Sequence, residues 1–143
     1  MSVNILFNKS ALQIVLKKLT EINKYEYSHL EGINNDRYFV AYGKPNIAVL
    51  FKRDFLQSYG QMGFINDNGQ KETGLGETVN VEHLIQFNKR EVEILYFTYP
   101  DGRIYYISLI DLLQNSHRWK NKEGKEVRSF SIHHFKNVES KLV

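Results

Sequence analysis

The chain has 143 residues, of which 42% are apolar and 24% charged, and it contains no cysteine. That is the composition of an ordinary folded chain of one-domain size, and it excludes disulfides and zinc–thiolate sites. The formal net charge of +3 is unevenly placed: residues 1–114 carry 12 basic and 13 acidic side chains, residues 115–143 carry 7 and 3.

Residues 10–23 read as an amphipathic helix. Leu12, Val15, Leu16, Leu19 and Ile22 recur at helical spacing, Lys17 and Lys18 fall off the stripe, and Ser10 or Asn8 is placed to cap it. Residues 24–36 are polar and read as irregular, with turn signals at Gly32 and Asn34-Asn35. Arg37 to Tyr42 is rich in β formers, Gly43-Lys44-Pro45-Asn46 is a turn, and Ile47 to Phe51 is the unbroken apolar run of a strand buried on both faces. These two strands read as a hairpin. Residues 54–64 read as a short helix or ordered loop, and 65–76 as a turn-rich connection.

Residues 78–89 read as a second helix, capped by Thr78 or Asn80, with Val81, Leu84, Ile85 and Phe87 on its apolar side. Glu91 to Tyr99 is a strand. Tyr99-Pro100-Asp101-Gly102-Arg103 turns it, because Pro presets φ and Gly accepts a positive one, and the chain returns through Ile107. Ser108 and Asp111 open a short helix as a capping box with Asp in place of Glu. Residues 118–127 read as a charged loop and Val127 to Ile132 as a last strand. The order predicts an α+β fold, a single domain over residues 1–143, with a central mixed β-sheet of about five strands flanked by helices. The second helix would make a right-handed crossover between the two hairpins.

The Gly-rich stretch Thr73 to Asn80 leads into the second helix. Two readings stand: a loop offering N–H groups to an anion, or a turn in which Glu77 compensates the helix dipole. It is neither a Walker loop, lacking Gly-Lys-Ser/Thr, nor a dinucleotide fingerprint, lacking the third Gly. The histidines are His29, His83, His117, His133 and His134, and no pair has HExxH spacing. His29-Leu30-Glu31 has the H-x-E of zinc deaminases without their cysteines. Ordinary hydrogen-bonded histidines are the plain reading, beside a zinc site made of histidines alone. No G-x-S-x-G elbow supports acyl transfer.

Metal-dependent phosphodiester cleavage needs carboxylates for a hard cation and a Lys or Arg near the phosphate. Glu26, Glu31, Asp36, Asp54 and Glu77 are the candidate acids. Lys52 and Arg53 close the most apolar strand beside Asp54; strand-end solvation is the plain alternative. His117 to Lys122 sets the single tryptophan, Trp119, among Arg118, Lys120 and Lys122, where a single-strand or flipped base would stack. The alternative is that Trp119 anchors the loop to the core. His133, His134 and Lys136 would extend the same basic surface.

A long N-terminal helix, a hairpin, a crossover helix and further strands together resemble the PD-(D/E)xK (restriction-endonuclease-like) nuclease superfamily, over most of the chain. Thr78 to Ile107 looks like its crossover helix and following strands. Pro45-Asn46 stands where Pro-Asp is expected and Leu50-Phe51-Lys52 where acid-x-Lys is expected, so Lys52 alone keeps the signature. The resemblance implies a DNA-processing nuclease using Mg²⁺ or Mn²⁺, with migrated acids, or a nuclease-like fold kept for binding. On the first reading Glu77, Asp54 and Lys52 are catalytic and Glu77, Asp54 and Asp36 hold the metal, with Glu31 as a substitute acid. Arg53, Arg118, Trp119, Lys120 and Lys122 bind DNA or RNA. The other readings are a non-catalytic DNA- or protein-binding factor, and an interaction protein whose aromatic strands form a homodimer. No stretch nears the ~18 apolar residues of a membrane span, and Met1 to Phe7 lacks a signal-peptide pattern. The expected location is the cytoplasm, of its own cell or of a host. Abundant Asn, Lys, Ile, Tyr and Phe with scarce Ala match AT-rich viral and plasmid genomes.

Overall fold

The apolar stripe near the N-terminus forms α1 (Val3–Asn23) in the computed structural model, which describes residues 3–53, 61–66 and 68–138. Leu12, Val15, Leu16 and Leu19 are each at most 2% exposed. Burying such a side chain is worth roughly 1.5–3 kcal/mol, so this stripe fixes the helix against its sheet. The helix stops at Lys24, whose φ of 57° is left-handed and whose N–H bonds the Thr20 carbonyl at 3.1 Å.

β1 (Tyr27–Ile33), β2 (Tyr38–Gly43) and β3 (Ile47–Phe51) form an antiparallel meander. The chain then leaves this sheet through β4 (Gln61–Ile65), β5 (Lys71–Asn80) and α2 (Val81–Lys89), and returns as β6 (Ile94–Thr98), parallel to β3. β7 (Ile104–Ser108) pairs antiparallel with β6. After α3 (Leu109–Gln114), β8 (Ser116–Lys120) and β9 (Glu126–Ser131), a 3-10 turn at Ile132–His134 leads to β10 (Lys136–Asn137) beside β7. The six-stranded order is β1-β2-β3-β6-β7-β10. β3–β6 is the one parallel pair among the described strands.

The unbroken apolar run of β3 has a physical reason. Ile47 and Val49 face α1 together with Phe39, Ala41, Tyr96 and Tyr106. Ala48 and Leu50 face the opposite side, where Leu95, Phe97, Leu84, Phe87, Val79 and Phe130 complete a second cluster. That second cluster is roofed by α2 and a four-stranded sheet of order β4-β5-β9-β8. The layers are therefore α1, the six-stranded sheet, and α2 with the smaller sheet.

The fold is α+β with a mixed central sheet and flanking helices, as predicted, but the central sheet has six strands and a second sheet lies over it. Residues 27–33 are a strand rather than an irregular stretch. Residues 71–80 are a strand rather than a connection and loop, so α2 begins at Val81. Residues 118–127 are not a loop: they hold most of β8 and the turn into β9. Ser108 caps the short helix, its Oγ accepting from the Asp111 N–H at 3.0 Å, which is the Ser half of the predicted capping box. The turn before β3 carries a cis Lys44–Pro45 peptide. No described helix is long and apolar enough to cross a membrane.

Candidate functional site

The carboxyl ends of β3 and β6 lie side by side, and in open α/β sheets such ends are where ligand crevices form. Lys52 follows β3, its N–H bonded to the Thr98 carbonyl at 2.9 Å, and Tyr99 follows β6. Glu77 reaches this place from β5 and is wholly buried. Its Oε1 accepts from Lys52 Nζ at 3.0 Å and from the Thr78 N–H at 2.8 Å. Its Oε2 accepts from the Tyr99 hydroxyl at 2.7 Å. Lys52 Nζ also donates to the Thr78 carbonyl at 3.2 Å and lies 5.8 Å from the Phe97 ring centroid.

This geometry joins Glu77 and Lys52, two of the residues singled out from sequence, and adds Tyr99, which sequence had placed only in a turn. It also replaces both readings of the Gly-rich stretch. Glu77 points between the sheets, not at the start of α2, and the stretch is strand. Gly74, at φ 97°, sits where β5 passes from pairing with β4 to pairing with β9. Asn80 precedes α2 without a side-chain capping bond. With both oxygens engaged, the Glu77 carboxylate fits a counter-ion for Lys52. A Mg²⁺ or Mn²⁺ ion there would have to displace that ammonium. Asp36 sits apart from this triad's bonds, in the turn between β1 and β2, with Lys9 Nζ at 3.9 Å. Asp54 lies outside the described residues.

Cations gather nearby from separate stretches of chain. His83, on α2, lies against the Tyr38 ring with centroids 4.2 Å apart. Burial holds its imidazole below the ordinary histidine value; Glu82 opposes this, and the charges of Lys52, Lys125 and Arg37 reinforce it. Burial raises the Tyr38 phenol while Arg37 and Arg53 pull it down. Arg37, Arg53 and Lys125 are exposed.

The β8–β9 hairpin carries the remaining basic candidates. Trp119 is 42% exposed. Its indole N–H donates to Ser129 Oγ at 2.9 Å, and Ser129 shares a 2.7 Å hydrogen bond with Thr78 Oγ1. The indole is thus tied by one edge to β9 while part of the residue stays open to solvent. Arg118 pairs with Glu126 across the hairpin. Lys120 and Lys122 are exposed. Asn121 Oδ1 shapes the turn by accepting from the N–H groups of Glu123 and Lys125, both at 3.0 Å. A groove of about 340 Å³ runs between this turn and the start of α2, lined by Asn80, Glu82, Ile85, Lys125 and Glu126 among others.

Two further clusters went unread in the sequence. Glu31 is clasped by Arg90, with Nε–Oε1 at 2.8 Å and Nη2–Oε2 at 3.1 Å, and accepts from the Tyr42 hydroxyl. The Arg90 and Tyr42 hydrogen bonds hold its carboxyl down at about 2. Glu72, His133 and His134 place one ligating atom each within 4.8 Å of one another, the one such trio among the described residues. The adjacent histidines were the only sequence signal, since Glu72 lies 61 residues earlier. No protein-family model, curated protein or solved structure matches the chain.

Proposed function

We propose that the protein binds single-stranded nucleic acid, DNA in the first instance, on a restriction-endonuclease-like frame. The order α1, β2–β3 hairpin, α2 crossover and β6–β7 supports that frame, as does the parallel pairing of β3 with β6. The observation that carries the binding reading is the convergence of Arg37, Lys52 and Lys125, from three separate stretches of chain, on His83, with Arg53 beside its stacking partner Tyr38; Lys125 belongs to the hairpin that carries Trp119. These stretches are distant in sequence, and the body of the chain has no excess of positive charge, so their gathering concentrates a field suited to phosphates. Trp119, tied by its N–H and open on its ring, is a preordered platform for an unpaired base; such stacking is worth roughly 1–3 kcal/mol per base. Duplex bases are already stacked and offer no face to it.

Trp119 is the single tryptophan, so emission excited beyond the tyrosine absorption reports this surface alone. Titration with oligo(dT) at low salt is expected to quench it to saturation. Reversing charge at Arg118, Lys120 and Lys122 to Glu is expected to abolish the quench. Unchanged emission together with no retention in a gel-shift assay would end the binding reading.

Cleavage is a second reading, favoured by the position of Lys52 at the carboxyl ends of the parallel pair, with the candidate acid Asp54 two positions on in the sequence. Supercoiled and linear DNA incubated with Mg²⁺ or Mn²⁺, and with EDTA, tests it. Cutting that needs metal and disappears in Asp54→Asn, with oligonucleotide binding retained, would make the protein a nuclease. Intact DNA under every metal leaves the non-catalytic binder.

A further inference from the structure

We propose that Glu72, His133 and His134 form a binding site for a borderline divalent transition-metal ion of the Zn²⁺ class. The proposal is independent of nucleic-acid binding and rests on other residues. Glu72, on β5, is only 3% exposed. His134 Nε2 lies 2.7 Å from its Oε1, and His133 Nε2 lies 3.4 Å from its Oε2. Each carboxylate oxygen therefore faces one imidazole nitrogen.

The two histidines are neighbours on a 3-10 turn, where three residues complete a turn and adjacent side chains diverge by about a third of a circle. Here they converge instead, with ring centroids 4.0 Å apart and planes tilted by 39°. His134 and Asn66 Nδ2, at 3.0 Å, both serve Oε1, and His133 faces Oε2. Convergence of both Nε2 atoms is what a shared ion requires.

The surroundings also match a ligand set. His133 Nδ1 lies 2.7 Å from Ser131 Oγ. With Nδ1–H donating there, the Nε2 lone pair is directed at the trio, and metal-ligating histidines are oriented in this way. Asn66 holds the carboxylate in turn, its own Oδ1 accepting from the N–H groups of Asn68 and Gln70 at 2.9 and 3.0 Å. Tetrahedral zinc with bonds of about 2.0–2.2 Å separates its ligand atoms by roughly 3.3 Å. The His133 Nε2–Oε2 pair has that spacing and the His134 Nε2–Oε1 pair needs to open by about half an ångström, while one ligating atom from each of the three residues lies within 4.8 Å of the others.

Two imidazoles and a carboxylate suit Zn²⁺, Co²⁺ and Ni²⁺, and bind Mn²⁺ more weakly. Mg²⁺ prefers an octahedron of oxygens and finds none here. The His133 side chain is 60% exposed, so the site opens to solvent on that side. Three protein ligands with an accessible fourth position would leave a bound ion able to take water or an anionic group.

Calorimetric titration of the full chain with Zn²⁺ at pH 7.5 tests the site, with Co²⁺ absorption as a second readout. We expect one equivalent bound, a tetrahedral Co²⁺ band, and no displacement by a large excess of Mg²⁺. His133→Ala is the deciding variant, because its exposed side chain leaves the fold intact; it is expected to weaken binding at least about 10-fold. His117→Ala is expected to leave binding unchanged. No Zn²⁺ uptake by the natural chain, or uptake that both His133→Ala and His134→Ala leave untouched, would overturn the site.

Discussion

Lys52 and Glu77 form a charge pair whose two members have very different access to water: the Lys52 side chain is 19% exposed and that of Glu77 is wholly enclosed. The pair ties the end of β3 to β5, and Tyr99 adds the end of β6. Its energetic meaning is asymmetric. Removing one partner strands a desolvated charge at a cost of about 3–5 kcal/mol, whereas removing both leaves none. Lys52→Met is therefore expected to lower unfolding free energy by about that amount in urea, and Lys52→Met with Glu77→Met to recover most of it. Equal losses in the single and double variants would mean that Lys52 acts through packing alone. The sequence exposed two of the three members of this centre. A lysine at the end of an apolar strand is conspicuous, and an acid in a Gly-rich stretch is too. Tyr99 was hidden because its hydroxyl meets Glu77 only through the stacking of two sheets, 22 residues apart in the chain.

Among elements, β1 is the exposed edge of the six-stranded sheet and has few apolar residues with which to hold itself. Glu31 supplies an anchor by joining β1 to Arg90 at the end of α2. A carboxyl depressed from 4.5 to about 2 contributes stability that is complete above pH 4.5 and is lost as pH falls towards 2. The difference in stability between the natural chain and Glu31→Gln is thus expected to hold steady from pH 7 to 5 and shrink through pH 4 and 3. Because Glu31 is more than a third exposed, solvent screening limits the effect to about 1 kcal/mol or less. A difference that does not change with pH would show that the ion pair contributes nothing. This edge also shows why some elements escaped the sequence. β3 and α1 were legible because each buries a periodic apolar set. Tyr27 to Ile33 pairs through its backbone with half-exposed side chains on both faces, so no alternation marks it. β5 carries Gly74 and Gly76, and β8 reads Ser-His-Arg-Trp-Lys; in both, the ladder rather than the side-chain pattern makes the strand. On α2, His83 offers a local probe of the proposed surface. Its imidazole is expected to titrate below 6.5 by NMR in the free protein and to move upward when oligo(dT) binds, since phosphate offsets the neighbouring cations. A midpoint unmoved at saturation would place nucleic acid elsewhere.

At the scale of the molecule, the fold rearranges a modest charge into a local field. Lys52 is committed to Glu77 and Arg118 to Glu126, which leaves Arg37, Arg53 and Lys125 exposed beside His83 and Tyr38, and Lys120 and Lys122 exposed on the Trp119 hairpin. If about four of them meet phosphates, log K for a single strand should fall against log salt with a slope of about −3, since each neutralised phosphate contributes roughly −0.7. Lys120→Ala and Lys122→Ala should each flatten that slope by about 0.7. Trp119→Ala should lower affinity at every salt concentration while leaving the slope unchanged, because stacking releases no counterions. The two kinds of variant thus separate the electrostatic and stacking parts of one surface. A shared loss of slope in Trp119→Ala would mean that the tryptophan only shapes the hairpin carrying the lysines. A flat salt response in the natural chain would mean that these cations serve solubility, and that any oligonucleotide binding is not directed by phosphate.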